Sequence, residues 1–392
     1  MTPPSPVSRA SDRAVAEVDL DAVAANVARL RAHAGGRDLM AVVKADGYGH
    51  GIVESARAAR AGGASWLGVA LLDEALQLRA AGDKGPILSW LAVPGEAYGD
   101  AIQADVEVSA YSAWQLAEIV SHAEDRGACA RVQLKVDSGL GRGGALPDHW
   151  QRMVDQAATA QRAGRVRVTG VWSHLACSDE PGHPSIAEQT AAYADALAYA
   201  ESAGLEPAHQ HLANSGGTLA SPATWYSMVR PGIAIYGVSP FVDGSAPVDL
   251  TPAMTLSATV ALVKRAPAGL GVSYGHTYTT KRETRLALIP LGYGDGVPRH
   301  ASGKGPVQVG AERYAIAGRV CMDQFVLDVG DAGLANRAAG VQTGDRAVLF
   351  GRADRGEPTA HDWAVAADTI GYEIVTRIGS RVPRTYVGEL AR

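Results

Sequence analysis

The sequence predicts an α/β fold: an N-terminal (β/α)8 TIM-like barrel followed by a mostly-β C-terminal domain. Three observations carry this expectation. The chain has 392 residues, too many for one ordinary core and enough for a large barrel plus a second domain. Up to about residue 250, short apolar runs alternate with longer amphipathic ones, as strands and helices do in a parallel barrel. Beyond that point strand-like runs follow one another, punctuated by glycine, with few helical patterns until about residue 361.

The barrel strands are expected at 39–43, 66–70, 86–91, 105–109, 131–136, 166–172, 208–212 and 228–235. Helices lie between them. The stretch Ser112 to Arg126 carries Leu116, Ile119 and Val120 on one stripe, and Ser185 to Ala203 is a second long helix. Asp73-Glu74 and Pro184-Ser185 read as helix starts, Gly164 and Gly204 as stops. The second domain is expected to hold strands at 255–265, 285–291, 306–309, 313–320, 325–329 and 346–350. The divisions that follow are a disordered tail over 1–12, a barrel over 13–250 and a β domain over 251–392. The early run 14–18 is a candidate extra strand for the β domain, and Pro240 to Pro252 is the expected junction. No internal repeat at solenoid spacing is visible.

Composition excludes several classes of function. Hydrophobic residues make up 47% of the chain, which predicts a packed globular protein. The formal net charge is -5 and no dense basic run occurs, so neither nucleic acid nor an anionic membrane is expected as partner. No apolar run approaches the length of a membrane span. The start, Met1 to Ser8, lacks the apolar stretch of a secretory signal, and a cytoplasmic protein is expected. The three cysteines, Cys129, Cys177 and Cys321, have no metal-ligand spacing; reduced thiols are expected, with Cys177 as buried filler and no metal site.

Chemistry in such barrels sits where strands feed their following loops. Unusual polar residues fall at those points: Lys44 after the first strand, Arg142 after the fifth, His174 after the sixth and Ser215 after the seventh, with Arg230 and Gly232 in the eighth. Lys44 ends the apolar run Leu39 to Val43 and opens a glycine-rich polar loop. An amine shielded on one side loses its proton more easily than a solvated one, as a lysine that bonds to an aldehyde requires. A lysine after a strand is more often a solvated terminus, and Lys44 alone does not separate the two readings.

The string Ala41-Val42-Val43-Lys44-Ala45-Asp46-Gly47-Tyr48-Gly49-His50-Gly51 resembles the pyridoxal-phosphate lysine motif of the alanine racemases. Further blocks resemble the same family in order: Lys135 to Arg142, His211 to Gly217, Met228 to Gly237, Val272 to Tyr278, Gly292 to Gly296 and Cys321 to Gln324. The resemblance spans residues from about 13 to the end; only Pro231 and Trp90 depart from it in otherwise matching surroundings. It implies an alanine racemase using pyridoxal 5'-phosphate and two bases, Lys44 and Tyr274, to interconvert L- and D-alanine, the latter for peptidoglycan. It implies that Ser215, Gly232, Ile233, Tyr48 and Tyr372 hold the cofactor's phosphate and that Arg230 faces its ring nitrogen. His174 and His211 would contact the ring or hold that arginine, and Trp90 is a further candidate to face the cofactor. Arg142 and the Met322 backbone N–H would bind the substrate carboxylate, Lys135 would be a carbamylated partner of Arg142, and Tyr293 would gate a narrow entrance. Tyr274 and Met322 would come from the other subunit of a two-fold homodimer with shared sites.

Outside that context several of these residues have plainer readings: a helix N-cap for Ser215, helix packing for Tyr372, a surface ion pair for Arg230, core positions for the histidines and Met322. Three other functions share features of the sequence. A fold-related decarboxylase would lack the tyrosine base, and a non-enzymatic cofactor carrier would stop at the barrel. A broader-specificity amino-acid racemase is the reading the sequence separates least.

Overall fold

The computed structural model describes residues 13–330 and 340–392, and the expected tail, 1–12, lies outside them. The chain divides into two compact units. One is Asp21–Thr251; the other joins the N-terminal stretch through Leu20 to Pro252–Arg392.

The first unit is a parallel eight-stranded near-barrel wrapped by helices. Its strands are Asp38–Val42, Trp66–Val69, Ile87–Ser89, Glu107–Ala110, Ala130–Lys135, Val166–Trp172, His209–His211 and Met228–Val229. The first seven strands pair in parallel in sequence order, and the first strand also pairs with the last. Between the seventh and eighth strands the seam is held by single hydrogen bonds: Ser227 N–H to the Gln210 carbonyl at 3.1 Å, and Arg230 N–H to Ala213 at 2.9 Å. Leu39, Met40, Ala41 and Val42 are all buried, the continuous apolar run of a strand covered on both faces.

Local sequence explains the helices. Ala113–Asp125 is capped by Ser112, whose hydroxyl accepts from Gln115 N–H at 3.3 Å, and buries Leu116 and Ile119. Pro184–Ser202 opens on the proline, whose missing N–H is no loss in a first turn. Gly164 and Gly204 take φ of 72° and 81° just past two helix ends.

The eighth strand is shorter than the expected 228–235. Pro231 has no N–H to continue a ladder, and Ile233–Tyr236 coils into a 3-10 turn. Arg230 and Gly232 therefore lie past the strand, not in it.

In the second unit a six-stranded sheet places Ala14–Asp19 between Met254–Thr259, antiparallel, and Arg384–Val387, parallel. A three-stranded sheet joins Leu262–Ala266, Thr284–Ile289 and Phe325–Gly330; Gly271–Val272 pairs with Tyr278–Thr279 in a small ribbon. The expected single strand 255–265 is two strands in different sheets. It switches where Val260 N–H bonds to Asp345 and Ala261 N–H to Leu288. The expected 313–320 is a strand only over Glu312–Ala315; Gly318, at φ 85°, turns the chain beyond it.

Among the described residues no helix is long and apolar enough to cross a membrane, and no cluster of His, Cys, Asp and Glu could hold a metal ion. Cys177, expected as buried filler, is only partly buried.

The apolar part of the barrel interior is Met40, Trp66, Leu88 and Met228, with Trp90 packed against them. Gly68 makes room for this cluster: a Cβ there would lie 2.8 Å from both Met40 Sδ and Trp90 Cζ3. Gly68→Ala is expected to cost about 2 kcal/mol through overpacking. Urea unfolding of the purified variant checks this, and an unchanged midpoint would contradict a tightly filled cluster.

Candidate active site

The first barrel strand stays buried through Val43 and presents Lys44 half-buried at its end. The chain then makes a left-handed turn. Ala45, Asp46, Gly47 and Tyr48 have φ of 53°, 53°, 61° and 53°. Glycine accepts this freely, whereas each of the others pays about 1–2 kcal/mol. Side chains hold the turn in place. Glu74 accepts from Ala45 N–H at 2.6 Å and Asp46 from Ile52 N–H at 2.9 Å. The His50 ring stacks on Tyr236 at 4.3 Å. Strain fixed by this many partners marks a backbone path the site requires.

The turn aims Tyr48 at Gly232. A Cβ on Gly232 would collide with the Tyr48 hydroxyl, so only glycine fits. Ser215 reaches the same point. It is not the cap of its short helix: Asn214 is, accepting from Gly217 N–H at 3.1 Å. The Ser215 hydroxyl instead accepts from Gly232 N–H at 2.9 Å and Ala234 N–H at 3.4 Å. With buried Ile233 alongside, Tyr48, Ser215, Gly232 and Ile233 form a cradle of hydroxyl and backbone donors suited to a phosphate.

Arg230 is 4% exposed. Its guanidinium donates to the Ser173 carbonyl at 2.7 Å, the Leu212 carbonyl at 3.3 Å and His211 Nδ1 at 3.0 Å, with His174 Nδ1 at 3.5 Å. Burial lowers its pKa to about 10, so it remains charged at neutral pH. Burial first, then Arg230, holds His174 and His211 well below the ordinary histidine range, which keeps both neutral.

Trp172, which the sequence reading overlooked, organises the cations. Lys135 Nζ sits 4.5 Å from its ring centre and the Arg230 guanidinium 5.0 Å; its indole N–H donates to Ser109 at 2.9 Å. Trp90 lies 5.8 Å from Trp172 and 6.0 Å from Lys44 Nζ. Alternation along the sixth strand could have flagged Trp172, since it shares a face with Gly170 at the end that leads to His174.

Lys44 and Lys135 lie close enough to neighbouring cations for their protons to be loosened. The Lys44 pKa is lowered by burial, then by Arg142, against a smaller opposing pull from Glu74. That of Lys135 falls to about 8, through burial, Arg142 and Arg230. So dense a positive cluster at one end of a barrel suits an anionic ligand. Arg142 itself is exposed, on a loop shaped by Asp137, which accepts from the N–H groups of Gly139, Leu140 and Gly141 at 2.9, 2.9 and 3.2 Å.

The remaining candidates lie on the second unit. Tyr274, 71% exposed, sits in the tight turn of the small ribbon, where Ser273 and Gly275 have φ of 61° and 71°. Tyr293 and Met322 are on loops laced together by Tyr293 N–H to Cys321 at 3.0 Å and Gly294 N–H to Met322 at 2.8 Å. Arg381 braces both loops, pairing with Asp295 at 3.2 Å and Asp323 at 2.8 Å. Tyr372 is partly exposed in the helix Gly371–Thr376.

Comparison with known proteins follows the same division. Residues 18–240 match the family model for the alanine racemase N-terminal domain, and 253–386 that for the C-terminal domain. The chain is 57% identical over 374 residues to an alanine racemase of Beutenbergia cavernae, covering 95% of this chain and 97% of that one. It is 55% identical over 384 residues to one of Streptomyces coelicolor, covering 96% of each. The crystal structure of alanine racemase from D-cycloserine producing Streptomyces lavendulae superposes with a TM-score of 0.94 at 54% identity, over 97% of this chain and 98% of that one. The alanine racemase of E. faecalis superposes at 0.86 with 34% identity, over 96% and 98%.

The depressed pKa of Lys135 has a pH signature. Between about 8 and the unfolded value of about 10.4, the unfolded chain holds a proton that the folded chain has lost, so this group's contribution to stability rises with pH across that window. Below it the full penalty of burying the charge applies. With carbon dioxide excluded, so that the amine is unmodified, Lys135→Met should therefore gain most over the wild type near neutral pH, and the gap should close as the pH approaches 10. Denaturant midpoints of both proteins across this range check it; a constant gap would refute it.

Proposed function

The chain belongs to the alanine racemase family, and from that premise we propose that it binds pyridoxal 5'-phosphate at Lys44 and interconverts L- and D-alanine. The observation that carries this reading is the convergence, at one barrel end, of a lysine with a lowered pKa, a hydroxyl-and-backbone cradle and a buried arginine. When bound, the cofactor supplies an electron sink that acidifies the substrate Cα proton.

The residues divide the work. Ser215, Gly232, Ile233 and Tyr48, with Tyr372, would hold the phosphate. Arg230 would donate to the ring nitrogen and, being unable to give up its proton at neutral pH, would leave that nitrogen unprotonated. A weaker sink restricts transamination. Lys44, whose proton is loosened by burial and Arg142, would serve as base on one face of the substrate. Tyr274 would serve the other. Arg142 and the Met322 N–H would hold the carboxylate, and Tyr293 would narrow the approach so that a small side chain is selected. Lys135, with its pKa of about 8, has neutral amine available to take up carbon dioxide; the carbamate would turn its repulsion with Arg142 into attraction.

A homodimer is part of the proposal, with Tyr274 and Met322 completing the site of the partner. Tyr274, Met322, Tyr293 and Ile370 are 71%, 53%, 41% and 59% exposed on one unit, large apolar groups that a partner surface would cover. The product D-alanine would feed peptidoglycan assembly from the cytoplasm.

Borohydride reduction of the cofactor-loaded protein should fix the label on the peptide containing Lys44; label on another peptide would reject that attachment. Tyr274→Phe should slow Cα proton removal from L-alanine by far more than from D-alanine, measured by deuterium wash-in from each enantiomer. Equal slowing in both directions would reject the two-base division.

A further inference from the structure

A single file of side chains runs from Arg230 into the barrel interior. Arg230 Nη1 meets His211 Nδ1 at 3.0 Å, and His211 Nε2 meets Gln133 Oε1 at 2.6 Å. Gln133 Nε2 donates to Glu107 Oε2 at 2.8 Å. Glu107 also accepts from the Thr169 hydroxyl at 2.6 Å and pairs with Arg131 at 3.2 Å. Arg230, His211, Gln133 and Glu107 are each 4% exposed or less.

The file has one direction. An ionised carboxylate only accepts, so Glu107 turns the Gln133 amide N–H2 toward itself and its oxygen toward His211. His211 must then carry its proton on Nε2, leaving the Nδ1 lone pair for Arg230, which can only donate. Reversing the amide would demand the Nδ1–H tautomer and set two donors head to head in a buried place. A buried donor left facing another donor loses its partner and is not repaid by water.

The barrel is locally deformed to admit this file. The register between the fifth and sixth strands slips after Val132: Val132 faces Val168, but Gln133 faces Gly170. Thr169 is the extra residue, and its hydroxyl reaches Glu107. Bulges of this kind re-aim side chains. Gly170 leaves space both for the seventh strand and for Gln133, since a Cβ there would lie 2.7 Å from the His209 carbonyl oxygen and 3.0 Å from Gln133 Cδ and Oε1.

We propose that Glu107 is a positioning residue for the racemase reaction, holding His211 through Gln133 in the Nε2–H tautomer and thereby fixing the guanidinium of Arg230. The proposal rests on the reading of Arg230 as partner of the cofactor ring nitrogen. Glu107 touches neither substrate nor cofactor and acts through the residues between.

The test compares wild type with Glu107→Gln, whose amide lets Gln133 turn either way, and with Glu107→Asp, which keeps the carboxylate. Gln133→Met, which keeps the volume but removes the amide between Glu107 and His211, serves if Glu107→Gln does not fold. Nitrogen-15 NMR of the His211 ring reads the tautomer, and pyruvate formed per racemisation turnover reads leakage into transamination. In wild type and Glu107→Asp, a single Nε2–H tautomer is expected. In Glu107→Gln or Gln133→Met, a tautomer mixture and about a tenfold rise in leakage are expected, the scale on which outer partners of a site act. An unchanged tautomer overturns the proposal, even if turnover falls, because a merely structural role would do that. An altered tautomer with unchanged leakage overturns it too. If wild type takes up no pyridoxal phosphate, the functional reading fails separately; the tautomer comparison still decides whether Glu107 sets His211.

Discussion

The guanidinium of Arg230 is a permanent charge placed where a barrel would ordinarily hold valine or leucine, and it is 4% exposed. A buried charge left without partners costs several kcal/mol, so its surroundings have to supply acceptors. They do so from two strand ends: the carbonyls of Ser173 and Leu212, the Nδ1 of His211, and the face of Trp172. Each acceptor brings a further demand. His211 needs somewhere to send its own proton, Gln133 takes it, and Glu107 completes the series with Arg131 and Thr169. The polar half of the interior follows from one cation, and the apolar half, around Met40 and Trp66, from ordinary packing.

The same constraint shapes the barrel end. With Arg230 fixed, Lys135 and Lys44 find themselves beside like charges and under a partial cover of protein, and both hold their protons less tightly. A cluster of this kind destabilises the fold on its own and is relieved by an anion. The left-handed turn after Lys44 adds a second local cost, because Ala45, Asp46 and Tyr48 adopt φ near 53°. Both costs fall on or beside residues that the functional reading uses, and neither is explained by packing alone.

Much of the barrel was legible in the chain. The alternation of apolar runs and amphipathic stretches located seven of its eight strands to within a few residues, because strand burial and helix periodicity are written locally. The misreadings had specific physical causes. Pro231 cut short a strand whose apolar run continues to residue 235, since periodicity does not register a missing N–H. The run 255–265 looked continuous because a switch between sheets leaves the apolar pattern intact. Ser215 was read as a possible cap, yet the neighbouring Asn214 takes that role. Trp172 went unread because its function is to be surrounded by cations from other strands.

By itself the sequence determined the order of elements, the division of texture near residue 250 and the strings that resemble the alanine racemases. It could do so because these are properties of neighbouring residues. Tertiary structure alone decided that Tyr48 meets Gly232, that Lys135 and Arg230 share Trp172, and that Glu107 stands behind His211. Those contacts join residues from 26 to 184 positions apart. Their formation depends on strand register, a bulge at Gln133 and the absence of one Cβ at Gly170, quantities that exist only once the strands are paired.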